Sequence, residues 1–206
     1  MKDYGLVVLG AHFGIYLDQQ ILSYKKSNII LVEPVPYNIN ILKKKYSSFR
    51  NINICSNVIY NEDKIDNFYF VKENSISKLG KHWASGIGSY DKNHILNHKS
   101  KRFNISESDI SEIKIEFITF DSLIRRYQVG SIDKLQIDIE GAEYEVLKSI
   151  DFKKIKIKKI LFESKHFDGT FKEGKKLSEI KEKLISANYN LTQIDKENIL
   201  AEKHYL

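Results

Sequence analysis

Two acid-bearing segments hold the side chains best suited to moving a proton: Asp138-Ile139-Glu140-Gly141-Ala142-Glu143 and Glu163-Ser164-Lys165-His166. His166 is the natural general base, because imidazole titrates near neutrality. Asp138 can orient or deprotonate an acceptor group, and Glu163 can orient an acceptor hydroxyl or the histidine. Asp138 and Glu140 flank Ile139 and, on an extended backbone, need not point the same way. Three acids in six residues require hydrogen bonds, cations or water to offset their repulsion. Capping at a helix start accounts for Glu143, but not for Asp138 so close to a sheet core. For His166 a surface or structural hydrogen-bonding role stays open beside the catalytic one.

A second set of residues suits a nucleoside. Gly10-Ala11-His12-Phe13-Gly14 follows the apolar run Leu6–Leu9. Small residues there let a ligand approach the backbone, and a sharp turn directs main-chain amides toward it; a plain turn is the competing reading. Glu33 ends the next apolar run, nineteen residues after Gly14, where a carboxylate accepts hydrogen bonds from ribose hydroxyls. Dinucleotide sites share that acid, but they want G-x-G-x-x-G so that the backbone can reach a pyrophosphate. Here the second glycine position is His12, which crowds that approach. S-adenosylmethionine has no pyrophosphate and suits the loop better than a nicotinamide cofactor. Asn57, after a third apolar run, can contact adenine through its amide or local backbone, or simply form an Asn turn. Asp138 stands at the edge shared by donor and acceptor.

On the acceptor side, Trp83-Ala84-Ser85-Gly86-Ile87-Gly88-Ser89 offers small residues for a flexible wall and one indole to cover an apolar part of a ligand. Trp83, Ser85, Glu140 and His166 are the expected acceptor contacts, against local packing around a glycine turn. His82, His94 and His98 lie nearby, but without the paired cysteines of a zinc site, and no metal site is expected.

These residues must be held by alternating strands and helices. Leu6–Leu9, Ile29–Val32 and Ile52–Cys55 are short, continuously apolar runs, as in parallel strands buried on both faces. Helices are expected from Gly14 to Ser23, with Ile15, Leu17, Ile21 and Leu22 making apolar contacts, and from Tyr37 to Tyr46. Glu33-Pro34 forces a turn between them. Such β-α-β-α-β units give right-handed parallel sheets with ligand loops at the C-terminal strand edge. Strands are expected at 67–73, 113–118, 135–139 and 160–162, and helices at Ala142–Ile150 and Lys175–Ala187, the latter turning Leu177, Ile180, Leu184 and Ile185 inward. Tyr189–Ile194 and Ile199–Glu202 read as a closing antiparallel hairpin. Residues 74–112 are polar and poorly periodic, as in a lid or binding insertion or an inert loop.

A chain of 206 residues with 42% hydrophobic and 29% charged residues suits one soluble α/β domain over residues 1–206. The +6 charge is spread rather than gathered in an arm, so neither nucleic acid nor membrane is an expected partner. The run Lys153–Lys159 reads as a wet face before a strand. The lone Cys55 excludes an intrachain disulfide. No leader or 18-residue apolar run is evident, and a cytoplasmic protein is expected. Oligomeric state stays open.

The runs Thr119-Phe120-Asp121-Ser122-Leu123 and Asp133-Lys134-Leu135-Gln136-Ile137-Asp138-Ile139-Glu140-Gly141-Ala142-Glu143-Tyr144-Glu145-Val146-Leu147 resemble the FkbM family of methyltransferases, and Glu163–His166 resembles its acid–histidine segment. The likeness spans most of residues 5 to 167. It implies a Rossmann-like methyltransferase fold and S-adenosylmethionine-dependent O-methylation of a small molecule or carbohydrate. Gly10, Ala11, Gly14 and Glu33 match the family's donor loop and acid. Val8 stands where an acid is common, and His12 where a polar amide-bearing residue is frequent. The alternatives are a noncatalytic small-molecule or glycan-binding member and a nicotinamide-dependent oxidoreductase.

Overall fold

A computed structural model describes residues 1–80, 82–97, 104–169 and 172–204. The chain opens with strand β1 (Lys2–Leu9), helix α1 (Asp18–Ser23), β2 (Asn28–Val32), α2 (Pro36–Lys45) and β3 (Ile52–Cys55). β1 pairs parallel with β2, and β2 with β3. Residues 6–9 are buried, as a central parallel strand requires. Val8 packs between the sheet and its helices with Leu6, Leu17, Ile21 and Leu42. Pro36 starts α2, where a missing N–H costs nothing, and Lys43, Lys44 and Lys45 close it, favoured by the helix dipole.

The chain then leaves this sheet for β4 (Val58–Tyr60), β5 (Lys64–Val71), α3 (Glu73–Leu79), β6 (Gly88–Ser89), α4 (Lys92–Leu96) and β7 (Ile110–Thr119). These strands form a second sheet in the order β4-β7-β5-β6. Segment 74–112, polar and poorly periodic in sequence, packs in its described part a small core of Leu79, Ala84, Ile87, Ile95 and Ile105 against Val71 and Ile110. His98 lies outside the described residues, as does the side chain of His82.

The return path is α5 (Phe120–Arg126), β8 (Val129–Ile137), α6 (Glu143–Ser149), β9 (Lys156–Glu163), α7 (Lys175–Ser186), β10 (Tyr189–Gln193) and β11 (Asn198–Lys203). The main sheet runs β10-β11-β9-β8-β1-β2-β3. β8 pairs parallel with β1 and β9, while the hairpin β10–β11 adds antiparallel to β9. Because β1 is flanked by β2 on one side and β8 on the other, the order in which strands are added to the sheet reverses between β1 and β8. A crevice opens at the C-terminal ends of the strands at such a switch point.

Four expectations need correction. The first helix begins at Asp18, with residues 14–17 in turns. Leu22 is exposed. Ile185 is 59% exposed because Leu177, Ile180 and Leu184 already occupy the inward stripe, and the next residue lies about 100° round the helix. Lys156, Lys158 and Lys159 belong to β9 itself, on either side of buried Ile157.

Candidate functional site

The loop after β1 is shaped by contact with the opposite strand end. Gly10 has φ +86°, and a Cβ there would lie 1.7 Å from the Asp138 carbonyl oxygen. Only glycine meets both demands. The Gly10 and Ala11 amides donate to the Val32 carbonyl at 3.0 and 2.9 Å. His12, with φ +52°, donates its amide to Glu33 Oε2 at 2.8 Å. The expectation that this turn aims its main-chain amides at a ligand is therefore corrected: the first three bind β2 and its terminal acid. Gly14 packs on Tyr46 rather than on the cleft.

Glu33 is buried, with Oε1 accepting from the Val35 amide at 3.0 Å and from Asn38 Nδ2 at 3.3 Å. Burial pushes its carboxyl up to about 7, and the bonds from Val35, Asn38 and His12 only partly oppose that. A carboxylate has about four acceptor positions. Three are occupied by protein, so capacity for about one further donor stays open on Oε2.

The cleft is a cavity of about 350 Å³, within the size range of small-molecule sites. Gly10, Ala11, Glu33, Asn57, Asp138 and Glu140 all line it, joined by Trp83 and Tyr90 from the inserted segment. Val35, Val58, Ile59 and Phe68 make an apolar slot beside Glu33. Three carboxylates face the cavity, and no lysine or arginine is among its described lining residues. That lining, in a chain of net charge +6, fits a ligand carrying ribose hydroxyls, a flat aromatic base and a positive sulfonium.

The side chain of Asn57 is engaged elsewhere. Its Nδ2 donates to the Glu116 carboxylate at 2.8 Å and its Oδ1 accepts from Arg126 Nη1 at 2.6 Å. What Asn57 offers the cavity is its backbone and position.

At the other strand end, Asp138 opens into the cleft although it sits deep among protein atoms. Its pKa is raised by burial, with Lys165 opposing and Glu197 assisting. Glu140 and Gly141 follow in left-handed conformation, φ +55° and +106°. Glu143 holds this turn, accepting from the Ile139 amide at 2.7 Å and the Gly141 amide at 2.9 Å. Fully buried, it is pushed up to about 7. Carboxylate oxygens of Asp138, Glu143 and Glu163 come within 4.8 Å of one another. The compensating cation is Lys165, bonded to Glu163 and, at 3.2 Å, to Glu197. Burial and the charge of Asp138 still raise the Glu163 pKa, while the surrounding acids raise that of Lys165 despite burial.

Ser85, Glu163 and His166 do not line the cavity. Ser85 is buried, its Oγ bonded to His12 Nε2 and its carbonyl to Asn38. His166 lies behind Glu163, its Nε2 3.9 Å from Oε2, with its ring edge-on to His94 at 6.1 Å. The structure thus brings together Gly10, Ala11, Glu33, Asn57, Trp83, Asp138 and Glu140, and leaves Gly14, Ser85, Glu163 and His166 outside the cavity lining. Sequence reasoning missed Lys165, Tyr90 and the bracing role of Glu143. The E-x-x-E spacing from Glu140 was a usable signal for Glu143; Tyr90, whose ring lies tilted against Tyr60 at 4.9 Å, had none.

A parallel sheet reversing at β1, with a glycine turn and an acid on adjacent strand ends, defines a nucleoside-binding enzyme of Rossmann-like architecture. Residues 9–191 match the Methyltransferase FkbM domain, and the chain belongs to that family of S-adenosylmethionine-dependent methyltransferases. The match extends past the recognisable motifs into β10. No curated protein matches. Among solved structures, precorrin-6y C5,15-methyltransferase from Geobacter metallireducens is 12% identical, with a TM-score of 0.47 over 98% of this chain and 82% of that one. A fibrillarin pre-rRNA processing protein from Methanococcus jannaschii is 12% identical, with a TM-score of 0.49 over 98% and 67%. Aeropyrum pernix fibrillarin, solved with natively bound S-adenosyl-L-methionine, is 10% identical, with a TM-score of 0.42 over 98% and 66%. Among the described residues no helix is long and apolar enough to cross a membrane.

Proposed function

We propose that this chain methylates a hydroxyl of a small molecule or carbohydrate, with Asp138 as the group that receives the hydroxyl proton. S-adenosylmethionine, when bound, supplies an electrophilic methyl group. Glu33 accepts a ribose hydroxyl on Oε2, and the slot of Val35, Val58, Ile59 and Phe68 takes the base. Asp138 faces the same cavity from the neighbouring strand end, and its raised pKa makes it a better proton acceptor than an ordinary aspartate. Trp83 and Tyr90 flank the remaining space, where a flat apolar sugar face can pack. Glu163, Lys165 and His166 hold Asp138's surroundings from behind. Holding a hydroxyl close to Asp138 is the chain's main contribution to rate.

The observation carrying this reading is the single cavity that joins Glu33 to Asp138 and Glu140. Calorimetry with S-adenosylmethionine, S-adenosylhomocysteine and NADH tests it. Saturable binding of the first two and none of NADH is expected. A folded protein that binds neither sulfur compound would end the proposal; where both bind, release of S-adenosylhomocysteine with a panel of glycosides identifies the acceptor.

A further inference from the structure

Four residues from four separate segments close a circuit of hydrogen bonds beside the donor acid. His12 gives its amide to Glu33 Oε2 at 2.8 Å, and its Nε2 is 2.5 Å from Ser85 Oγ. The Ser85 carbonyl accepts from Asn38 Nδ2 at 2.8 Å, and the same Nδ2 reaches Glu33 Oε1 at 3.3 Å. Glu33, Asn38 and Ser85 are all buried. The His12 ring also rests on the backbone of Gly86, where a Cβ would lie 3.3 Å from it. Tyr37 adds a further bond to the Ser85 carbonyl at 3.4 Å.

Ser85 belongs to the short turn His82–Gly86, which also carries Trp83 and leads into Gly88–Tyr90. Trp83, Gly86, Gly88 and Tyr90 line the same cavity as Glu33. The oxygen of Glu33 with room for another donor is the one that holds His12. A hydroxyl arriving there would share Oε2 with the His12 amide, and the His12 ring is in turn bonded to Ser85 through a part-buried contact. Buried polar networks respond as units because each unpaired member is costly.

We propose that His12, Asn38 and Ser85 are positioning residues that couple occupancy of the Glu33 site to the placement of the wall bearing Trp83 and Tyr90, so that a bound methyl donor sets the wall for the acceptor. This rests on the reading of the cavity as a donor site. Such coupling is reciprocal: whatever loosens the wall must weaken the donor by the same factor.

Trp83 is the chain's sole tryptophan, so its fluorescence reports the wall directly. On adding S-adenosylhomocysteine, the wild-type emission should shift in step with calorimetric binding. In Ser85→Ala the ligand should bind on the order of threefold to tenfold more weakly, with the emission shift lost, and Ser85→Thr should restore both. Should Ser85→Ala not fold, His12→Asn replaces it, since asparagine tolerates the left-handed backbone there and keeps the amide to Glu33. Binding without any shift in the wild type, or a shift that persists in the variants, overturns the proposal. A ligand-free arm separates this from failure of the donor reading. Ser85→Ala should speed hydrogen exchange of the His12 amide by about tenfold and leave Val7 and Val8 of β1 unchanged. An unaltered His12 amide overturns the coupling whether or not the ligand binds.

Discussion

Glu33 and Asp138 occupy equivalent places, each just beyond the C-terminal end of a parallel strand next to β1, yet their surroundings differ. Glu33 is enclosed and bonded to three protein donors. Asp138 faces the open cleft, with acids for neighbours and one buried lysine to balance them. The Glu33 side is thus held by protein hydrogen bonds before any ligand arrives. The acceptor side stores unbalanced charge and left-handed backbone at Glu140 and Gly141, an arrangement that favours moving a proton over holding a ligand. Backbone strain and crowded charge persist where the surrounding fold enforces them.

The largest effect that would break this comparison comes from the residue joining the two sides. Gly10→Ala drives a methyl group into the Asp138 carbonyl at 1.7 Å with φ at +86°. Thermal unfolding should show a loss of about 4 kcal/mol or more, or no folded protein. Gly80→Ala is the control: φ is +66° but nothing lies within 4 Å, and about 1 kcal/mol is expected. Equal losses would mean that backbone conformation, not the contact between strand ends, makes Gly10 necessary.

A smaller effect sharpens the acceptor side. Asp138→Asn should lower kcat by about 10²- to 10⁴-fold, with less change in S-adenosylhomocysteine affinity. His166→Gln should cost less than about tenfold, because His166 reaches the cavity only through Glu163. Steady-state kinetics that reverse this order would move the proton acceptor to the histidine.

The smallest concerns the donor side and pH. A ribose hydroxyl donates best to ionised Glu33, whose carboxyl is pushed up to about 7. S-adenosylhomocysteine affinity should therefore rise from pH 6 to 8, by at most about tenfold per pH unit, and level off above; Glu33→Gln should flatten it. The ligand-free fold should show the opposite trend. Glu33 and Glu143 both titrate near 7 in the folded state against an ordinary 4.5. Their favourable contribution is complete below about 4.5 and is lost as pH rises through 7. A melting temperature that falls between pH 5 and 8, and recovers with ligand, is expected.

Much of the main sheet was legible because its strands are local and fully apolar. Leu6–Leu9, Ile29–Val32 and Ile52–Cys55 each end at a turn residue, and the observed strands contain them. The second sheet was not. β4 has only three residues, and its partner β7 lies more than fifty residues further on, so no local period announces the pairing. The same holds for the small core of residues 71–110, whose apolar positions are scattered among polar ones and meet only after folding. In the site, residue type found Glu33, Asp138 and Glu140. It failed to separate Ser85 and His166 from the cavity wall, because a strand end tells where the chain stops but not which layer the next side chain enters.

The sequence by itself determined the alternation of strands and helices, the strand ends carrying acids, and the family. These follow from local apolar runs and from spacing along one segment. Only the tertiary structure decided that the first-loop amides turn to β2, that His12 reaches Ser85, and that Lys165 meets Glu163 beside Asp138. Each of those facts is a meeting of segments distant along the chain or a direction taken by a side chain, and burial and hydrogen bonding set both only once the sheets are assembled.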